Sequence, residues 1–218
     1  MARRGSKPTW QLVLLLIAAA VLWVLEPRLR KEEGRAPRGE SRAAVADYET
    51  FTGCRWVEHR QNDGDSFRVR LPDGRVEQFR LYYVDAPESG FRRYGNGEDN
   101  HRRIAEQARD FGISDEEAVE IGRRAKERVH ETLGRGTFTV HTRWDDPFGD
   151  RRYHAFVAPD GGPLLEEILV REGLARIHTK PAELPDGTPV KSRLDQLRGL
   201  EAEARRAKRG AWAFAGTD

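Results

Sequence analysis

One stretch constrains the fold more than any other. Across 65–71 the sequence DSFRVRL alternates strictly, with Phe67, Val69 and Leu71 on one face and Arg68 and Arg70 on the other. That is the pattern of a β-strand with one buried face. Pro72-Asp73-Gly74 makes a turn and 76–84 resumes as a strand, so the two form a hairpin. The run LYYV at 81–84 lacks alternation and reads as strand covered on both faces. Asp65 shares the parity of the apolar face. A carboxylate placed there has to be paired or to bind a cation, because burying it bare is costly.

Around this hairpin the chain is organised as short strands and helices. A weak strand is expected over 55–60, and further strands over 137–144 and 152–158, joined by the turn DDPFGD. Ser114 and Glu117 make a capping box, after which Ala118, Ile121, Ala125, Val129 and Leu133 form one apolar stripe closed by Gly134 and Gly136. Helices are also expected over 164–172, ending at Gly173, and over 191–208, with Gly210 as its stop. The segment 89–113 is polar and arginine-rich and reads as a long loop. Strands grouped around helices in this order predict a small, mostly antiparallel barrel, an α+β fold with β dominant.

The chain has 218 residues and one cysteine, Cys54, so it holds no internal disulfide and no cysteine-based zinc cluster. Cys54 is expected to be inert, and Tyr82, Tyr83, Trp144 and Trp212 to be core. The six histidines show no HxH or HxxxH spacing. The sequence pI near 8.8 invites a nucleic-acid reading, but the charge is unevenly placed. Residues 1–50 carry nine Lys/Arg against six Asp/Glu, whereas 51–218 carry 29 against 30. Any nucleic-acid argument therefore rests on placed residues rather than on bulk charge.

The N-terminal region is of a different kind. Residues 12–25, LVLLLIAAAVLWVL, are uninterrupted apolar chain behind Arg3, Arg4 and Lys7. At a rise of ~1.5 Å per residue they reach about 21 Å, short of the ~30 Å bilayer core, and residues 8–11 lengthen the segment. An uncleaved anchor that engages the lipid bilayer through 8–25 is favoured over a cleaved signal peptide. This assigns 1–26 to an anchor or signal segment, 27–50 to a polar linker and 51–216 to the folded domain. The domain is expected outside the cytoplasm, membrane-anchored, or secreted if the segment is cleaved.

The chemistry gathers at the hairpin. Asp85 and Glu88 lie at the end of the LYYV strand, near Asp65 across the hairpin, with Arg80 five residues before Asp85. Carboxylates so grouped make a hard-oxygen site suited to Ca²⁺ or Mg²⁺, while turn geometry and a salt bridge are the plainer reading of the same residues.

The run NDGDSFRVRLPDGRVEQFRLYYVDAPES resembles the staphylococcal nuclease (thermonuclease) family, whose signature is DGD followed by Ser or Thr, then FRL, then VDxPE. RRYHAFV at 151–157, EEILVREGLARI at 166–177 and the ending EAEARRAKRGAW are similar to later segments of that family, so the likeness spans about 51–214. It implies an OB-fold five-stranded barrel with about three packed helices, here preceded by an N-terminal hydrophobic helix. It also implies metal-dependent phosphodiester hydrolysis of DNA or RNA by a monomeric catalytic domain.

By the same resemblance Asp65, Asp85 and the Ala86 carbonyl hold the metal, Ca²⁺ with Mg²⁺ as the alternative. Glu88 positions or deprotonates water, and Arg80 and Arg152 contact the phosphate, with Arg151 the runner-up to Arg152. The family's prototype has two tyrosines after the GLA helix; here Ile177-His178-Thr179-Lys180 stands there, so His178 or Lys180 takes that place. Phe148 stands where a phosphate-contacting tyrosine often lies. Arg92, Arg93, Arg102 and Arg103, with Phe91 and Tyr94, in the 89–113 segment suit a nucleic-acid-facing loop, a solvated arginine-rich loop being the plainer reading. The competing function is a non-catalytic nucleic-acid-binding barrel on a membrane anchor.

Overall fold

The computed structural model describes residues 47–95, 97–147 and 149–216. The anchor and most of the linker expected over 1–46, and Phe148, lie outside the described residues. Among the described residues no helix is long and apolar enough to cross a membrane.

Five strands close into a barrel. They are β1 (Glu49–Val57), β2 (Ser66–Arg70), β3 (Val76–Leu81), β5 (Phe138–Thr142) and β6 (Arg152–Pro159), in the order β1-β2-β3-β6-β5. Every pair in the barrel is antiparallel except β3 with β6, which run parallel. The alternation that predicted the hairpin is the one that fills the barrel: Phe67, Val69, Phe79 and Leu81 are buried. Phe79 sits opposite Phe67, and Ser66 opposite Arg80, which brings the start of β2 beside the end of β3.

The expected continuous strand over 76–84 is broken. β3 stops at Leu81, and β4 (Val84–Asp85) pairs instead with β7 (Arg176–Ile177) in a separate two-stranded sheet. Between them Tyr83 has φ +69°, and the Val84 N–H donates to the Tyr82 carbonyl 2.9 Å away, as in a γ-turn. Such a backbone is unfavourable for a tyrosine and persists only where its surroundings fix it. Here the Tyr83 carbonyl accepts from the N–H groups of His178 and Thr179, its own N–H donates to the Lys180 carbonyl, and its hydroxyl donates to the Ala182 carbonyl. The lack of alternation in LYYV thus records a kink whose four residues are all buried. The kink turns Asp85 away from the barrel strand and toward β7.

Among the described residues four α-helices pack on this frame, where about three were expected: α1 (His101–Phe111), α2 (Asp115–Leu133), α3 (Leu165–Arg171) and α4 (Val190–Arg206), followed by a 3-10 turn at Gly210–Ala213. The extra one is α1, which lies in the segment read as a loop. Its apolar residues Ile104, Ala108 and Phe111 recur at helical spacing, and Ile104 and Ala108 pack with Ala118 and Val119 of α2. The Ser114 capping box forms as expected, and the whole α2 stripe from Ala118 to Leu133 is buried. Cys54 is buried and free, and burial pushes its thiol up to about 11.

Candidate active site

Asp65, at the head of β2, is held by its neighbours rather than by an open water face. Its Oδ1 accepts from the Ser66 hydroxyl at 2.9 Å, and its Oδ2 accepts from the Ala86 N–H at 3.2 Å. The Arg80 guanidinium lies 3.4 Å away. Gly64 makes this approach possible, since a Cβ there would stand 2.7 Å from both Ala86 and Ala125. Burial pushes the Asp65 carboxyl above its ordinary value, against the pull of Arg80.

Glu88 is placed by α2. Gly122 faces the 87–88 backbone so closely that a Cβ would stand 2.5 Å from the Pro87 carbonyl oxygen and 2.4 Å from that of Glu88. The Glu88 N–H donates to Gln107 Oε1 at 3.0 Å, which ties the same backbone to α1.

Asp65, Arg80, Glu88 and Arg152 all line one cavity of about 570 Å³, together with Arg92 and Tyr94. The parallel register sets Arg152 opposite Gln78, two residues along β3 from Arg80, so both arginines project to one face of the barrel. Arg152 is held by Asp150, with Nε at 2.7 Å and Nη2 at 2.5 Å from Oδ2. Arg151 does not line this cavity; it has φ +60° in the turn before β6 and is exposed.

Asp63, which the resemblance includes only as the first residue of the DGD signature, also belongs to this wall. Burial first, then the charges of Asp65 and Glu88, push its carboxyl up to about 7.

Asp85 lines a neighbouring cavity of about 450 Å³ with Arg80, Arg103, Arg176, His178 and Lys180. Lys180 pairs with Asp145 at 3.0 Å, and the His178 N–H is used on Tyr83. His178 and Lys180 are therefore near Asp85 but in the second cavity, separate from Glu88 and Arg152.

Asp85 is saturated. Its Oδ1 accepts from Arg80 Nη2 at 2.9 Å and Arg103 Nη2 at 2.6 Å. Its Oδ2 accepts from Gln107 Nε2 at 2.9 Å and Arg176 Nε at 2.9 Å. Burial alone would raise this carboxyl; Arg103, Gln107, Arg176 and Arg80 outweigh it and hold it below the ordinary carboxylate range. Gln107 Nε2 also donates to the Ala86 carbonyl at 3.0 Å.

These contacts bear on the expected metal set of Asp65, Asp85 and the Ala86 carbonyl. Two carboxylates and a carbonyl are the right donors for a hard cation. As arranged, however, Asp85 accepts from Arg80, Arg103, Gln107 and Arg176, the Ala86 carbonyl accepts from Gln107, and three guanidiniums stand where a divalent ion would be repelled. Among the described residues no group of three or more His, Cys, Asp or Glu is set to hold a metal ion. The residues present do not fit Ca²⁺ or Mg²⁺ in this arrangement.

Gln107 and Arg176 were not singled out from the sequence, and Arg103 was grouped only with the arginines of a nucleic-acid-facing loop. Arg103 and Gln107 sit one turn apart on α1, so finding that helix would have found them. Arg176 lies within the GLARI run; its role appears only in the register that sets it directly across from Asp85.

The family model described as staphylococcal nuclease homologue matches residues 78–214. Arg80, Asp85, Glu88 and Arg152 fall within the match, and Asp63 and Asp65 precede it. No curated protein matches the chain.

Proposed function

The chain belongs to the staphylococcal nuclease family, and on that premise we propose that it hydrolyses phosphodiester bonds of DNA or RNA with little sequence specificity. The observation that carries this reading is the single cavity lined by Arg80, Arg152 and Glu88. Two guanidiniums on one face match the non-bridging oxygens of a phosphodiester, each through a planar fork of donors. Charge grows on those oxygens as water adds, so pre-placed guanidiniums are worth more in the transition state than in the bound diester.

Glu88, with its side chain 17% exposed, reaches the cavity and takes the proton of the attacking water. Water forms the new P–O bond, the opposite ester P–O bond breaks, and the leaving oxygen takes its proton from solvent. The phosphate has to draw Arg152 from Asp150. Arg92 and Tyr94, at the cavity rim, suit the neighbouring phosphate and base.

The family resemblance also implies Ca²⁺, with Mg²⁺ as the alternative. Since those ions do not fit Asp65, Asp85 and Ala86 as arranged, the steps above use only the chain's own groups. The apolar run at 12–25 supports placing the domain on a membrane, outside the cytoplasm. Sequencing the mature N-terminus from membrane and soluble fractions tests that placement against secretion.

The alternative, a barrel that binds nucleic acid without cutting it, draws on one observation: Glu88 is already engaged by Arg103 at 2.7 Å. Incubating the full-length protein with labelled single- and double-stranded DNA and RNA, with Ca²⁺, Mg²⁺ or a chelator, decides between them. Shortened products support hydrolysis; retention of intact strands on the protein supports the binder.

A further inference from the structure

Three carboxylates of the site, Asp65, Asp85 and Glu88, are met by three guanidiniums, those of Arg80, Arg103 and Arg176. With Asp110, which also pairs with Arg176, four carboxylates face three guanidiniums, so side chains already offset most of the negative charge. These three arginines are not held alike. Arg80 and Arg176 are 9% and 10% exposed, and Arg176 is further fixed by Asp110. Arg103 is 41% exposed and borders both cavities. Its Nη2 meets Asp85 at 2.6 Å, whereas its Nε, 2.7 Å from Glu88, makes an ion pair without an aligned hydrogen bond.

We propose that Arg103 is the resident cation of this site. Its guanidinium bridges Asp85 and Glu88, and it sets the chain's affinity for divalent cations, because an ion takes those carboxylates only when Arg103 leaves them. Electrostatics requires the competition. A dication beside Asp85 with Arg103 in place adds two positive charges where three guanidiniums already stand, while exchange for Arg103 adds one. Arg103 is also the residue free to exchange: its helix stays anchored through Ile104, Ala108 and Gln107 when the guanidinium swings into either cavity. The proposal deepens the nuclease reading by naming what controls its cation, but cation binding is measured without nucleic acid. Failure of one is therefore distinguishable from failure of the other.

The test is calorimetric titration of Ca²⁺ into the full-length protein, into Arg103→Gln and into Arg103→Lys, each checked for a cooperative thermal melt. Arg103→Gln is expected to bind at least about tenfold more tightly than wild type, the effect of one removed competing charge. Arg103→Lys, which keeps the charge, is expected to bind as weakly as wild type. Adding Asp85→Asn to Arg103→Gln is expected to abolish the gain. Equal affinity in wild type and Arg103→Gln, no binding by either, or a gain that survives Asp85→Asn overturns the proposal. Should Arg103→Gln fail to fold, Arg103→Lys binding Ca²⁺ about tenfold more tightly than wild type also overturns it.

Discussion

Asp85, at the end of β4, and Glu166, on α3, are withdrawn from water to the same degree, at 1% and 0% exposure. They are nevertheless held in opposite electrostatic states. Asp85 is met by Arg80, Arg103 and Arg176 and by the Gln107 amide. Glu166 is met by one guanidinium, that of Arg193 at 2.7 Å, which also serves Glu167 at 2.5 Å. Among the described residues, Glu166 Oε2 has no hydrogen-bond partner. Burial raises both carboxyls; at Asp85 the arginines win and the group is drawn down, while at Glu166 burial wins and it is pushed up to about 7. The number of donors, rather than depth, decides the charge of a buried carboxylate. Clustering three cations on one acid far exceeds what packing needs, and it occurs beside the cavities.

Replacing the two acids by their amides is the strongest way to break this contrast. Asp85→Asn leaves three guanidiniums around a neutral group and is expected to cost about 3–5 kcal/mol in urea unfolding. Glu166→Gln, with one guanidinium affected, is expected to cost about 1–2 kcal/mol. Equal losses would refute the difference.

Gly122→Ala comes next, at about 1–3 kcal/mol with a fall in cleavage, because its Cβ would stand 2.4 Å from the Glu88 carbonyl oxygen. Unfolding and turnover measured on the same preparation check both halves.

The pH dependence sharpens the comparison at smaller cost. Glu166 has its folded value raised from 4.5 to about 7, so the native state binds the extra proton and its contribution to stability is lost as pH rises through that window. The thermal melt of wild type is expected to fall relative to Glu166→Gln between pH 4.5 and about 7. Asp63, also raised to about 7, adds a slope common to both proteins. Asp85 has the opposite sign: its contribution is present above the ordinary carboxylate range and is lost on acidification below it. The smallest effect is expected from Tyr94→Ala, which removes an exposed ring at the cavity rim. It should raise KM about threefold to tenfold and change kcat less.

Much of this arrangement was legible in the sequence. Alternation at 65–71 gave β2 and a buried Asp65, and Ser114 with Glu117 marked the start of α2. The resemblance pointed to Arg80, Glu88 and Arg152, and the structure brings these into one cavity. What escaped has physical reasons. In α1, HRRIAEQARDF, charged and polar residues outnumber apolar ones, and Asn100 at its N-cap makes no side-chain cap bond. The positive φ of Tyr83 has no local signal, because it is imposed by the 178–182 segment, distant in sequence. Arg103, Gln107 and Arg176 reach Asp85 through those two features, so the filling of the expected metal ligands could not be read from spacing.

The central claim is that the cavity holding Arg80, Arg152 and Glu88 cleaves phosphodiesters with Glu88 as the base. Single-turnover cleavage of an end-labelled oligonucleotide by wild type and Glu88→Gln, with binding of the same oligonucleotide measured alongside, tests it most directly. The expected result is a rate lower by about 10²–10⁴ in Glu88→Gln with binding kept within a few-fold. Undiminished cleavage by Glu88→Gln, or no cleavage by wild type under any cation condition, would contradict it.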